Sequence, residues 1–277
     1  MNKPGLALRI LTTDLPVALT VLLALGPFVW IILTSLTPTE QLAAHGVALT
    51  PRGWGLDNYI RLFRQTSFAA NMGHSLIIAL GTMALGLGVS VTAAYAFSRF
   101  RFAGRRAILL QFLLVNMFPA VLLILPLFIL MRRLGLLDTH LALIIANATV
   151  AIPFAVWMLT RYMGAIPVSL DEAAMIDGCT RLQALRRVVL PLALPGIIST
   201  GIYVFITAWN EYLYALTLGG NNVRTVTVAV QTLIGEYQIE WGLLSAGAVV
   251  GAMPATLLFL LVQRQLVSGL AEGGVKG

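Results

Sequence analysis

The chain has 277 residues, of which 58% are hydrophobic and 10% are charged, and its net charge is +7. Ordinary soluble domains carry roughly 25% charged residues, so this composition argues against a soluble globular protein and indicates one that is embedded in a bilayer. The single cysteine, Cys179, excludes an internal disulfide and a thiolate metal cluster. The three histidines, His45, His74 and His140, are scattered along the chain, and we predict no metal site.

Six stretches are predicted to cross the membrane, because each is apolar over about the 20 residues that span the hydrocarbon core. None of them contains Lys, Arg or Asp, and only one contains Glu. The first could be a cleaved signal peptide, but it is longer than a signal core of roughly 7–15 residues, and no small-x-small cleavage site follows it before Thr37-Pro38. We therefore predict an all-α, polytopic membrane protein with transmembrane helices at 15–36, 75–97, 107–130, 141–160, 196–218 and 243–262.

The distribution of Lys and Arg predicts the orientation, since cytoplasmic loops are enriched in both residue types. If the N-terminus is cytoplasmic, twelve of these residues fall in inside segments and six in outside segments, and the short loop 99–106 alone carries four arginines. Both termini are therefore expected in the cytoplasm, and the positive charge reflects topology rather than a nucleic-acid partner. The inside residues are Lys3, Arg9, Arg99, Arg101, Arg105, Arg106, Arg161, Arg181, Arg186, Arg187, Arg264 and Lys276.

Proline occurs within several of the predicted spans, at Pro119, Pro126, Pro153 and Pro254. Proline removes a backbone hydrogen bond and kinks a helix. Two interpretations stay open: the prolines mark irregular packing, or they kink helices around a cavity whose walls move.

The longest predicted cytoplasmic segment, 161–195, has the sequence of an ordered hairpin. Ser169–Glu172 is predicted to be a capping box that opens a short helix, and Gly178 stands where a residue of positive φ ends one. Thr180–Gln183 is predicted to be a second capping box that opens another helix. A DNA-reading helix-turn-helix is disfavoured, because the hairpin lies between two membrane spans and its first helix is acidic. We expect the second helix to end at the membrane, at Pro191 and Pro195.

The pattern Glu172-Ala173-Ala174-x3-Gly178-x9-Val188-x-Leu190-Pro191 resembles the EAA loop of binding-protein-dependent ABC importer permeases. Val188 stands where that loop usually has isoleucine. Segments 99–105, 209–216 and 269–277 are also similar to the sugar-importer branch of these permeases, and most similar to the smaller permease subunit of maltose- and trehalose-type transporters. The resemblance extends from about residue 14 to the C-terminus and is weakest in the first external loop, about 37–70.

The resemblance implies that the hairpin docks into a groove of a cytoplasmic ATPase subunit. Glu172 would pair with a basic residue of the ATPase, Ala173 and Ala174 would pack in the groove, and Gly178 would shape the turn; alternatively, Glu172 serves only its own capping box. Asp177 and the motif residues Leu190 and Pro191 complete the implied coupling site. The family's C-terminal tail also reaches the ATPase, whereas a frayed terminus is the alternative; the tail residues concerned are Gly273, Gly274, Val275 and Lys276.

The chain itself has no G-x-x-x-x-G-K-[ST] phosphate-binding loop, since its only lysines are Lys3 and Lys276. Cofactors are therefore expected in other subunits, with ATP and Mg bound by partner ATPases. The resemblance implies a homologous second permease subunit, two ABC ATPase subunits and an extracytoplasmic sugar-binding protein in a prokaryotic inner membrane. The chain would comprise a cytoplasmic segment at 1–14, a permease domain at 15–263 with the coupling hairpin at 161–195, and a cytoplasmic tail at 264–277.

Glu211 is the single acid within a predicted span, where a charge costs roughly 2.5–3.5 kcal/mol and usually faces a cavity or a partner. With Asn210 and Tyr214 it could line a translocation path, or it could brace a neighbouring helix. The expected substrate is a di- or oligosaccharide of the maltose or trehalose kind, with another solute such as glycerol phosphate as the alternative. An ion-coupled transporter usually needs more intramembrane acids. A membrane enzyme would need a nucleophile–base pair, paired carboxylates or a metal cluster, which we do not find in the spans.

Overall fold

The computed structural model describes residue 12, residues 14–235 and residues 239–274, without the side chains of residues 52, 262 and 264–274. In this part of the chain the secondary structure is helical, apart from one isolated bridge between Ile234 and Ile239. A short 3₁₀ turn lies at Pro51–Gly53 and a π-helical turn at Leu185–Val189. The α-helices are α1 (Leu15–Leu36), α2 (Thr39–His45), α3 (Asp57–Gln65), α4 (Phe68–Arg99), α5 (Arg105–Met117), α6 (Ala120–Arg133), α7 (His140–Ala165), α8 (Ser169–Ile176), α9 (Arg181–Ala184), α10 (Leu190–Trp209), α11 (Leu213–Leu218), α12 (Val226–Thr232) and α13 (Trp241–Gly274).

Five helical segments in the described residues are long and apolar enough to cross a membrane, and the number becomes six if α5 and α6 form one span. The predicted first span coincides with α1, and the second, fourth and sixth lie within α4, α7 and α13. The predicted third span is interrupted at Pro119, where α5 and α6 meet at an angle of 96°. Pro119 disfavours the helical conformation of the residue before it, and Phe118 is extended at φ −74° and ψ 131°.

The predicted fifth span also differs from the structure at both ends. Helix begins at Arg181 and continues through α9, the π turn and α10 to Trp209, so the prediction that Pro191 and Pro195 end a helix is wrong. The π turn places Pro191 in the first turn of α10, where a proline fits. At the other end, the chain leaves the helix at Asn210 before it re-forms as α11.

The chain is divided into two compact units. The N-terminal unit comprises the residues through Ala69 together with Val230–Met253. Within it, the side chain of buried Asn58 donates to the carbonyl oxygens of Ser35 at 3.0 Å and Thr37 at 2.8 Å. These bonds hold α3 against the end of α1, so the first loop has a defined structure.

The central unit comprises Ala70–Ala229 together with the residues from Pro254 onwards. Its helix α7 packs against α5, α6, α10 and α11, and more of it is buried than of any other candidate span in the described residues. One buried cluster surrounds Leu143 and Tyr214, and a second surrounds Leu159 and Met163 near the end of α7. The second cluster includes Leu185, so the core reaches the predicted coupling hairpin.

Candidate functional site

The predicted hairpin is present, and two backbone hydrogen bonds close its turn. Gly178 has φ +89°, as expected for a helix C-terminal glycine. The N–H of Gly178 donates to the carbonyl of Met175 at 3.1 Å, and that of Cys179 to the carbonyl of Ala174 at 2.9 Å. This pair of bonds is a Schellman motif, which satisfies the free carbonyls at the end of α8. The turn is therefore rigid and requires a residue that tolerates positive φ.

One of the two predicted capping boxes is correct. At the second box, the N–H of Gln183 donates to the Thr180 hydroxyl at 3.3 Å, and the N–H of Thr180 donates to the Gln183 side chain at 2.8 Å. The predicted first box is wrong, because α8 begins with Ser169 in its first turn and Val168 precedes it with helical dihedrals and no side-chain cap. Glu172 is thus not engaged in a box with Ser169, and its side chain is exposed.

The outer surface of the hairpin exposes both acidic and large apolar side chains. Glu172, Ala173 and Asp177 are exposed, whereas Ala174 is only 8% exposed and packs inward. Ile176 is 86% exposed and Leu182 is 72% exposed. Neither residue is among those predicted from the sequence, although apolar side chains beside a turn between polar residues were a visible signal.

The root of the hairpin is anchored by a buried ion pair that the sequence analysis also missed. Arg99 Nε and Asp171 Oδ2 lie 2.8 Å apart, and their side chains are 3% and 5% exposed. The Tyr95 hydroxyl donates to Asp171 Oδ1 at 3.1 Å, and Arg99 Nη1 donates to the carbonyl of Met163 at 2.9 Å. These contacts attach α8 to the ends of α4 and α7. An aspartate at the start of a capped helix and an arginine at the end of a span were the available signals.

The remaining motif residues lie where the hairpin joins α10. Leu185 and Val189 are buried in the cluster around Leu159, so the π turn is part of the core. Leu190 is half-buried, and Pro191 is exposed. The structure therefore brings the predicted coupling residues together in one hairpin, in which Glu172 and Asp177 are exposed and the neighbouring Asp171 is buried.

The three residues predicted for a translocation path have different environments. Asn210 is exposed at the break after α10. The Glu211 carboxylate accepts from the N–H of Tyr214 at 2.7 Å and from that of Ala215 at 2.9 Å, so it caps the start of α11. Tyr214 is 2% exposed and packs in the core. This arrangement gives Glu211 and Tyr214 structural contacts within the central unit.

The predicted tail contact falls partly outside the described residues. The backbone of Gly273 and Gly274 belongs to α13, which continues past the predicted tail boundary at residue 264. Val275 and Lys276 lie outside the described residues.

Comparison with known proteins shows the family of the chain. Residues 84–271 match the family "binding-protein-dependent transport system inner membrane component", and the chain belongs to this family. A chain from the crystal structure of a bacterial ABC transporter that imports the acidic polysaccharide alginate has the same fold. The TM-score is 0.82 at 24% identity, over 95% of this chain and 99% of that chain.

Two curated relatives are similar over almost their whole length. The sulfoquinovosyl glycerol transport system permease protein of Agrobacterium fabrum is 39% identical over 94% of this chain and 93% of the relative. The trehalose transport system permease protein of Mycobacterium tuberculosis is 39% identical over 92% of this chain and 93% of the relative. The family confirms the predictions of an ABC importer permease, of an inner-membrane location and of a transport subunit that is not itself an enzyme.

Proposed function

We propose that the chain forms half of the translocation path for a di- or oligosaccharide, as the smaller permease subunit of a maltose- or trehalose-type importer. Its partners would be a homologous permease subunit, two ATPase subunits that bind ATP and Mg, and an extracytoplasmic sugar-binding protein. The substrate class is supported by the trehalose and sulfoquinovosyl glycerol permeases, which are similar to nearly the whole chain. The observation that carries the coupling role is the rigid hairpin with exposed Glu172, Ile176 and Leu182.

The proposed topology has six spans, with α5 and α6 as one bent span and both termini in the cytoplasm. This arrangement places the hairpin and the arginine-rich loop 99–106 on the cytoplasmic side, in agreement with the preference of Lys and Arg for inside loops. The hairpin would then face the ATPase subunits at the cytoplasmic surface of the membrane. Covering the exposed isoleucine and leucine with a protein groove removes apolar surface from water, which favours docking.

The proposed mechanism is that ATP-driven closure of the ATPases pulls the hairpin and reorients the translocation path. Because Asp171 is paired with Arg99, and Arg99 is bonded to the carbonyl of Met163, a pull on α8 acts directly on α4 and α7. Asn210 has an exposed amide at the break after α10, whereas Glu211 and Tyr214 make structural contacts. Of these three residues, we therefore propose Asn210 as the one that lines the translocation path.

The single cysteine allows a direct test of the topology in the unmodified protein. Cys179 lies in the turn of the hairpin and is half-buried. A membrane-impermeant maleimide is expected to label it in inside-out vesicles and not in sealed, right-side-out ones. Detergent should make labelling equal in both preparations, and bound ATPase subunits should slow it. Labelling of Cys179 from outside sealed cells would overturn the proposed topology.

The docking role is tested by reversing the charge of the exposed hairpin glutamate. Glu172→Lys is expected to leave the chain in the membrane and to abolish ATP-dependent uptake, because its proposed partner on the ATPase is basic. Glu40→Lys makes the same charge reversal at an exposed glutamate in the N-terminal unit and is the control for substitution as such. Normal uptake by a Glu172→Lys protein of parental abundance would contradict the docking role.

Affinity purification through a tag on this chain would identify the partners and the substrate. We expect a second permease, an ATPase and, after crosslinking, a solute-binding protein to co-purify. The recovered binding protein is then assayed with maltose, trehalose and glycerol phosphate. Binding of glycerol phosphate alone would favour the alternative solute, and uptake that survives ATP depletion while a proton gradient is held would indicate an ion-coupled transporter.

A further inference from the structure

A groove between α5 and α7 combines an apolar floor with positive charge at one end. It has a volume of about 290 Å³ and is lined by Arg106, Leu109, Leu110, Leu113 and Trp157. The four α5 residues have the spacing i, i+3, i+4 and i+7, which places them on one helix face. The leucines therefore form a stripe that leads away from the arginine for roughly 10 Å along the helix.

A second guanidinium lies over the tryptophan that lines the groove. Arg161 is one helical turn beyond Trp157 in α7, and its Cζ is 5.0 Å from the centre of the Trp157 ring. Arg106 lines the groove together with Trp157, so both guanidinium groups belong to its surroundings. Both arginine side chains are exposed, and among the residues that the structure describes no carboxylate forms an ion pair with either.

The start of α5 adds to this positive potential. Gly104 precedes the helix and supplies no side-chain cap, and the N–H of Arg105 donates to the carbonyl of Phe102 at 3.4 Å. Helix N-termini favour anions. Arg106, Arg161 and the start of α5 therefore add positive potential to a leucine-lined groove that also contains Trp157.

From this convergence we propose that the groove binds one anionic phospholipid, with its phosphate between Arg106 and Arg161 and an acyl chain along Leu109, Leu110 and Leu113. A soluble anion would leave the leucine stripe unused, and Leu110 is 60% exposed. A neutral lipid would leave two cations unpaired. Basic pockets between membrane helices on the cytoplasmic side are suited to anionic headgroups. The assignment to the inner leaflet rests on the proposed topology.

Native mass spectrometry of the complex purified through this chain tests the proposal, with added phosphatidylglycerol as the anionic probe and phosphatidylcholine as the neutral one. The parent complex is expected to retain one phosphatidylglycerol per copy of this chain. The double variant Arg106→Gln/Arg161→Gln is expected to bind it roughly thirtyfold more weakly, since each basic residue contributes about a fivefold factor. Arg101→Gln removes an exposed arginine from the same loop but outside the groove, and should have parental retention.

Equal retention of phosphatidylglycerol by the parent and the double variant would overturn the site. Equal retention of phosphatidylcholine would show that the groove does not select charge, which also overturns it. A photo-crosslinking residue at Leu110 is expected to add the mass of one lipid, whereas a crosslink to another subunit would show that protein covers the groove. Co-purification of the ATPase and labelling of Cys179 are recorded on the same samples, so failure of the lipid site is distinguishable from failure of the transporter assignment.

Discussion

The buried pair between Arg99 and Asp171 gives the sharpest prediction about the hairpin. Asp171→Asn keeps the size of the side chain and can still accept the Tyr95 hydroxyl, but it removes the negative charge. The Arg99 guanidinium, in a side chain that is 3% exposed, then has no counter-charge. Loss of one partner of a buried ion pair costs about 3–5 kcal/mol. For a domain of this size, that loss corresponds to a decrease in Tm of roughly 6–20 °C.

Thermal unfolding of the purified chain in detergent, followed by tryptophan fluorescence, measures this effect. Asp177→Asn is the matched control, because it removes the same charge from an exposed position in the same hairpin and should alter stability by less than about 0.5 kcal/mol. The double variant Arg99→Met/Asp171→Leu replaces the pair with apolar side chains and should be more stable than Asp171→Asn alone. Equal Tm values for Asp171→Asn and Asp177→Asn would refute the reasoning.

Three further predictions concern local geometry. Gly178→Val should destabilise the hairpin by about 1–2 kcal/mol or more and reduce uptake, because the φ angle at this position is +89°. The control Gly164→Ala, which has no atom within 4 Å of the new Cβ, should change neither stability nor uptake. Tm and uptake are measured for both variants. Glu211→Ala should lower the free energy of unfolding by about 1–3 kcal/mol, because it leaves two N–H groups of α11 without their acceptor. Glu211→Gln should keep part of this stability. Loss of uptake by Glu211→Gln at the parental Tm would instead favour contact with the substrate. Burial acts to raise the pKa of Asp138, but hydrogen bonds from Asn222 and Val223 lower it below its ordinary value. The stabilisation by Asp138 is therefore complete above about pH 5 and lost as pH falls through the lowered pKa, and Asp138→Asn should abolish this acid dependence of Tm.

The coupling motif shows how far sequence reasoning reaches and where it stops. The glycine at 178 and the capping box at Thr180 were predictable, because each is a local arrangement of a few consecutive residues. The box at Ser169 was not, because Val168 adopts helical dihedrals and the helix begins a residue earlier than the pattern indicates. Asp171, which the pattern treats as part of a helix start, is instead the buried partner of an arginine that lies 72 positions earlier in the chain.

The bent span and the first loop show the same limit. A hydropathy pattern detects that 107–130 is apolar, but it does not contain the direction of the chain at Pro119, where α5 and α6 meet at 96°. Similarly, the segment after α1 has no diagnostic motif, and its order depends on the side chain of Asn58, which bonds to carbonyl groups about 20 residues away.

The amino-acid sequence alone determined the membrane environment, the helical class, the approximate spans and the permease family, because apolar length, charge distribution and a spaced motif are all properties of neighbouring residues. The tertiary structure alone decided which carboxylate of the hairpin faces outward and which is buried, since that depends on where α4 and α7 end in space. Burial of a charge is possible only where a distant partner compensates for its lost hydration, and no local pattern records that partner.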